Sequence, residues 1–66
     1  MDKKTYYETS TKMESAGVNP AYVLGWQSGV LHNPKLEEQR VDDAYDAGYN
    51  DGLEGKTDGY TAWLQQ

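Results

Sequence analysis

Two stretches of this chain, AYVLGWQSGV at 21–30 and AYDAGYNDGL at 44–53, are written in one pattern. Each reads Ala, Tyr, two free positions, Gly, an aromatic residue, two free positions, Gly, an aliphatic residue. On a helix, residues four apart share a face. Ala21, Gly25 and Gly29, and again Ala44, Gly48 and Gly52, therefore form a smooth groove. Beside each groove runs a ridge of large residues: Tyr22, Trp26 and Val30 in the first copy, Tyr45, Tyr49 and Leu53 in the second. A glycine inside a helix costs roughly 1 kcal/mol relative to alanine. Four of them in a chain of 66 residues need a reason, and the steric one is close approach of two helices. The ridge of one copy is expected to fit the groove of the other.

Punctuation along the chain places these copies on helices. Asn19 is suited to cap a helix and Pro20 to occupy its first position, so a helix is expected over about 20–31. Asn33-Pro34 repeats the device, and apolar or small residues at 36, 41, 44, 45, 48, 52 and 53 keep a helical period. A second helix is expected over about 34–53, stopped by Gly55. The short turn at 32–33 between them implies antiparallel neighbours or a steep corner. Residues 1–16 are polar except for Tyr6, Tyr7 and Met13, which reads as a marginal helix or an arm, with Gly17 as its stop. Asp58-Gly59 suggests a turn before a short helical tail, Tyr60–Leu64, that closes the open edge of the hairpin. The expected architecture is all-α: a small antiparallel helical hairpin at 17–66 with a polar N-terminal segment.

The two copies differ in polarity. Val23, Leu24 and Leu31 make the first apolar nearly all round, so that helix is expected to be central and covered on more than one side. Asp46, Asn50 and Asp51 give the second a polar back. The chain contains no phenylalanine, so some of its six tyrosines and two tryptophans must build the core. Tyr22 and Trp26 are the candidates for it, with Tyr6, Tyr7 and Tyr60 more exposed.

Charge follows the same division. Residues 1–36 carry Lys3, Lys4, Lys12 and Lys35 against Asp2, Glu8 and Glu14, a net of +1, while 37–66 carry eight acids against Arg40 and Lys56, a net of −6. That half repels phosphate backbones and disfavours direct nucleic-acid binding. It suits a basic protein surface. No cysteine is present, so thiolate chemistry and sulfur-ligated metals are excluded. The start MDKKTYYETS lacks the apolar run of a secretion signal, and no stretch has the length of a membrane span, which leads to the expectation of a cytoplasmic protein.

Candidate chemistry is sparse. GLEGKT, residues 52–57, ends like a phosphate-binding loop, but Asn50 stands where that loop needs its first glycine, and a helix rather than a strand leads in. The simpler reading is a glycine helix stop. Asp42 and Asp46 share a helix face, with Asp43 nearby, but no calcium-loop pattern surrounds them. His32, the only histidine, has no nucleophile or acid placed beside it by sequence. Neither a metal nor a cofactor is expected, and no enzymatic activity.

The stretch AYDAGYNDGLEGK, residues 44–56, resembles a helix of the ribosome modulation factor family through Ala44, Gly48, Tyr49, Gly52, Gly55 and Lys56, with Tyr60 and Trp63 at its trailing aromatic positions. The resemblance implies a helical hairpin of the kind found in these small, ribosome-binding bacterial proteins. That family is strongly basic and this chain is acidic, so RNA binding is not carried over.

The function expected is that of a small acidic adaptor or inhibitor, of a bacterial or phage regulatory kind, that binds another protein. Its docking residues are expected to be Glu38, Asp42, Asp43, Asp46, Asp51, Tyr60 and Trp63. The helix-packing residues are Tyr22, Gly25, Trp26, Gly29, Ala44, Tyr45, Gly48, Tyr49 and Gly52. Two alternatives use the same features: a nucleic-acid mimic that blocks a DNA- or RNA-binding protein through its carboxylates, and a homo-oligomeric subunit assembled through its glycine grooves.

Overall fold

In the computed structural model, residues 1–34 and 43–64 are described. They form three helices, α1 (Lys3–Ala16), α2 (Pro20–Val30) and α3 (Asp43–Glu54), and a 3-10 turn at Gly59–Trp63. The all-α class, the packing of α2 on α3 and the short C-terminal turn follow the sequence expectation. The upstream part of the expected second helix, 34–42, lies for the most part outside the described residues, as do Glu38 and Asp42.

The N-terminal segment is a full helix of 14 residues. Asp2 caps it, accepting a hydrogen bond from the Thr5 amide at 3.0 Å, and the hydrogen bonds from Thr5 hold its carboxyl below the usual carboxylate range. One side of α1 is buried through Thr9, Ser10 and Met13, and this tertiary contact is what carries a helix of low intrinsic propensity. At its end Gly17 adopts the left-handed conformation (φ 75°), while the Val18 amide reaches back to the Met13 carbonyl at 3.1 Å and Gly17 to Glu14 at 3.3 Å. This is a Schellman closure, completed by the apolar contact of buried Val18 and Met13.

The same closure ends the other two helices. In α3, Gly55 (φ 73°) takes the left-handed position and Lys56 N–H bonds to Asp51 C=O at 2.9 Å. In α2 the left-handed residue is His32 (φ 56°), with Asn33 N–H on Ser28 C=O at 2.9 Å and His32 N–H on Gly29 C=O at 3.1 Å. A side chain in this conformation costs roughly 1–2 kcal/mol. Asn19 and Pro20 start α2 as expected, the Asn19 side chain accepting from the Ala21 amide at 2.9 Å.

Glycine determines how α2 and α3 meet. A methyl group added to Gly25 would collide with the carbonyl oxygen of Tyr45, and one on Gly29 with that of Tyr49. Reciprocally, Gly48 faces the carbonyl of Tyr22 and Gly52 that of Trp26. Backbone therefore rests on backbone, with the glycine hydrogens aimed at carbonyl oxygens. Such Cα–H···O contacts contribute perhaps 0.5–1 kcal/mol each and offset much of the propensity cost.

The register also sets direction. Moving from Gly25 to Gly29 moves the partner from Tyr45 to Tyr49, and moving from Gly48 to Gly52 moves it from Tyr22 to Trp26. The partners advance together, so α2 and α3 run in the same sense. This corrects the antiparallel expectation. A two-residue turn cannot join parallel helices, because the chain must regain the length of α2, about 16 Å for 11 residues. The twelve positions between Val30 and Asp43 are enough chain to do so. The antiparallel hairpin is instead α1–α2, joined by Gly17–Asn19. The start of α1, with Met1, Tyr6 and Tyr7, lies by Val30 and Leu31, and its end, with Glu14, lies by Val23 and Leu24.

Adding 23 to each residue of a contact pair returns another contact pair: Tyr22–Gly48 becomes Tyr45 with Gly25, and Trp26–Gly52 becomes Tyr49 with Gly29. The two copies of the sequence pattern are thus related by an internal two-fold, as in an isologous dimer interface built within one chain. The glycine grooves are filled by each other, which is packing within the chain rather than an open face for assembly.

Two outcomes test this account. Gly25→Ala or Gly48→Ala should destabilise the fold by at least about 2 kcal/mol in urea titration, despite the roughly 1 kcal/mol that alanine adds to a helix; a stabilised variant would show that the backbones are not in contact. His32→Gly should raise stability by about 0.5–1 kcal/mol by relieving the left-handed side chain, and a loss would show that the imidazole has a structural partner.

Candidate functional site

The core is small and aromatic. Trp26 and Tyr22 are buried, as expected, together with Met13, Val18, Ala44 and Tyr45. Tyr6, expected to be exposed, is half-buried because its ring stacks on Trp26 at 5.7 Å with an 18° interplanar angle. Tyr7, meeting Tyr6 edge-on at 5.2 Å, remains exposed. Of the packing residues read from sequence, Gly25, Gly29, Gly48 and Gly52 are buried with the core. Tyr49 is half-buried, stacked on Tyr45 at 6.2 Å, and its hydroxyl donates to the Asn33 carbonyl at 2.5 Å.

Polar groups lock the aromatics in place. The Tyr22 hydroxyl donates to the Asp51 carboxylate at 2.6 Å. The Trp26 indole N–H donates to the Lys56 carbonyl at 2.6 Å, which ties the end of α3 to the core. Gln27 donates to the Ser10 hydroxyl at 3.1 Å across α1–α2. No buried side-chain polar atom among the described residues lacks a partner.

The expected docking residues fall into two groups. Asp43 is exposed and Asp46 half-buried on α3. Asp51, expected on the polar back of the helix, turns inward to Tyr22 and half-buries itself there. Its position 29 residues from Tyr22 left no local signal of this pairing. Tyr60 and Trp63 belong to the C-terminal turn and pack against the core. Tyr60 is half-buried rather than exposed, and the Trp63 ring stacks on Tyr22 at 6.3 Å and 21°.

A surface absent from the sequence reading lies on α2. Leu24 and Leu31, expected to be covered, are 51% and 57% exposed. The reason is geometric: they lie on the side of α2 away from Gly25 and Gly29, beyond the reach of α3, and α1 shields only one flank. Leu24 lines an open groove of about 340 Å³ with Glu14, Val18, Pro20, Val23 and Gln27. The signal available in the sequence was the two-turn spacing of Leu24 and Leu31, which was absorbed into a wholly apolar helix.

GLEGKT is the helix stop that its glycine pattern suggested, with Gly55 left-handed and Lys56 capping α3. Lys56 also stands 3.7 Å from Glu54, an exposed pair of small energetic weight. Among the described residues no group of three histidines or carboxylates has the arrangement of a metal site. No helix among them is long and apolar enough to cross a membrane. Comparison of the chain with protein-family models, curated proteins and solved structures finds no match.

Burial, then the hydrogen bond to Asp51 and the charges of Asp51 and Asp58, push the Tyr22 hydroxyl well above the usual tyrosine range. Burial also raises Tyr6, with Tyr7 adding to it. An unfolded tyrosine ionises near pH 10. A folded value above that means stability is fully present below pH ~10 and falls as the pH climbs past it. The protein should therefore lose stability in the alkaline range. Tyr22→Phe should flatten that decline and cost about 1–2 kcal/mol at neutral pH by leaving Asp51 without its donor. Thermal melts of both proteins between pH 7 and 11 give the comparison, and parallel pH profiles would dismiss the role given to Tyr22.

Proposed function

We propose that this chain is a small non-catalytic binding module that docks on a basic protein surface through the outward side of α3 and the residues around it. The observation that carries the reading is the one-sided use of α3. Its inner side, Ala44, Tyr45, Gly48 and Gly52, is buried against α2. Its outer side presents Asp43, Asn50, Leu53 and Glu54 to solvent. The internal two-fold sharpens the point. Asp43, Asp46 and Glu54 stand where α2 has Pro20, Val23 and Leu31, so equivalent positions on equal packing faces are apolar in one helix and acidic in the other. Core packing does not require that difference, since α3 presses the same glycine face against its neighbour as α2 does. Carboxylates on a held helix steer a basic partner into register and speed its approach.

Replacing Asp42, Asp43 and Asp46 together by asparagine should weaken capture of the partner at least tenfold and leave the circular dichroism unchanged. The wild-type interaction should weaken as salt is raised from 50 to 500 mM. Equal capture by the two proteins would refute the reading. Competition between the protein and DNA for the same partner would instead favour the mimic of a nucleic acid.

A further inference from the structure

The C-terminal residues 56–64 lie across α2 as a strap, and their contacts divide cleanly into a seat and a ligand. The seat is one continuous stretch, Val18 to Trp26. It offers two N–H donors, from the Asn19 backbone and the Trp26 indole, and the ring face of Tyr22. The strap offers two carbonyl acceptors, Lys56 to Trp26 at 2.6 Å and Trp63 to Asn19 at 2.9 Å. It adds the Trp63 ring on Tyr22 and an antiparallel bridge from Leu64 to Val18. Beneath it, Tyr22 and Trp26 are 1% and 0% exposed, two of the three most buried large side chains.

The strap is weakly built in itself. No residue of its 3-10 turn is buried, and Asp58 gives that turn no side-chain cap. Its internal bonds are long, 3.4 Å from the Thr61 amide and 3.2 Å from its hydroxyl to the Asp58 carbonyl. It is bracketed by Gly55, in the left-handed conformation, and Gly59, whose missing side chain lets the chain pass Asp51 and the Tyr22 hydroxyl. What holds it is the seat rather than its own structure. This is how an extended peptide adds to an exposed backbone edge: main-chain bonds supply affinity and an aromatic residue supplies specificity.

We infer that the seat formed by Val18, Asn19, Tyr22 and Trp26 takes the C-terminal strap of a second copy of this chain, with the strap of the same chain as its built-in competitor. A second copy brings the same two carbonyls and the same indole at the same spacing, so every contact of the closed chain is reproduced between chains. The strap in cis acts at an effective concentration on the order of millimolar, so exchange emerges when the cis strap is weakened. This surface is distinct from the outward side of α3, and the inference stands independently of the acidic docking face.

The test uses the full chain with Trp63→Ala and, as probe, a synthetic peptide of residues 55–66. The peptide should move the Asn19 amide and Trp26 indole resonances of W63A with at least tenfold higher affinity than those of the wild-type chain. A peptide with its own tryptophan replaced by alanine should bind at least tenfold more weakly. Equal binding to the two chains, or unmoved resonances in a W63A chain whose helices persist by circular dichroism, overturns the inference. Should W63A fail to fold, Leu64→Ala loosens the strap at its far end while keeping the indole, and the same titration decides by the same outcomes.

Discussion

Contact between glycine and carbonyl along α2 and α3 is the constraint from which the rest of the structure follows. Four glycines let two backbones touch, and their reciprocal pairing with the carbonyls of Tyr22, Trp26, Tyr45 and Tyr49 leaves only one register. Side chains cannot adjust at such a contact, because what meets is main chain. The parallel sense of the two helices is set there, and it forces a connection of a dozen residues where a tight hairpin turn would otherwise serve. The large residues flanking the glycines are turned aside by the same contact. In α2 this sends Tyr22 and Trp26 into the space covered by α1 and the strap.

The internal two-fold stops at those coverings. Around α2 the chain adds α1, through Met13 and the Tyr6 ring on Trp26, and the strap, through Trp63 on Tyr22. A core this small gains little from area alone. It compensates with stacked rings whose polar atoms are satisfied: Tyr22 on Asp51, Trp26 on the Lys56 carbonyl. These bonds join residues about thirty positions apart, so α2, α3 and the strap hold together as one unit. The same arrangement explains the surface. α2 leaves Leu24 and Leu31 uncovered on the side its neighbours do not reach, while α3 spends its outer positions on carboxylates.

Much of this was legible in the residues. The period of the repeat, the Asn19-Pro20 start, and the stops at Gly17 and Gly55 are local signals, each fixed by the conformation of one or two residues. The all-α class and the burial of Tyr22, Trp26 and the glycine face follow from them. His32 was read as a helix end, but not as the left-handed residue that closes it, since that position is usually given to glycine. The inward turn of Asp51 and the half-burial of Tyr60 had no local mark at all, because their partners lie far along the chain.

The sequence by itself determined that two helices with matching small faces would press together, because removing side chains at every fourth position permits little else. It also determined which of the two is apolar and which acidic. Only the tertiary structure decided the direction of the pair, for a groove of glycines accepts a neighbour running either way, and register appears only when particular carbonyls meet particular glycines. The tertiary structure likewise decided that Asp51, Tyr60 and Trp63 serve the interior, because a side chain's role depends on what reaches it from elsewhere in the chain.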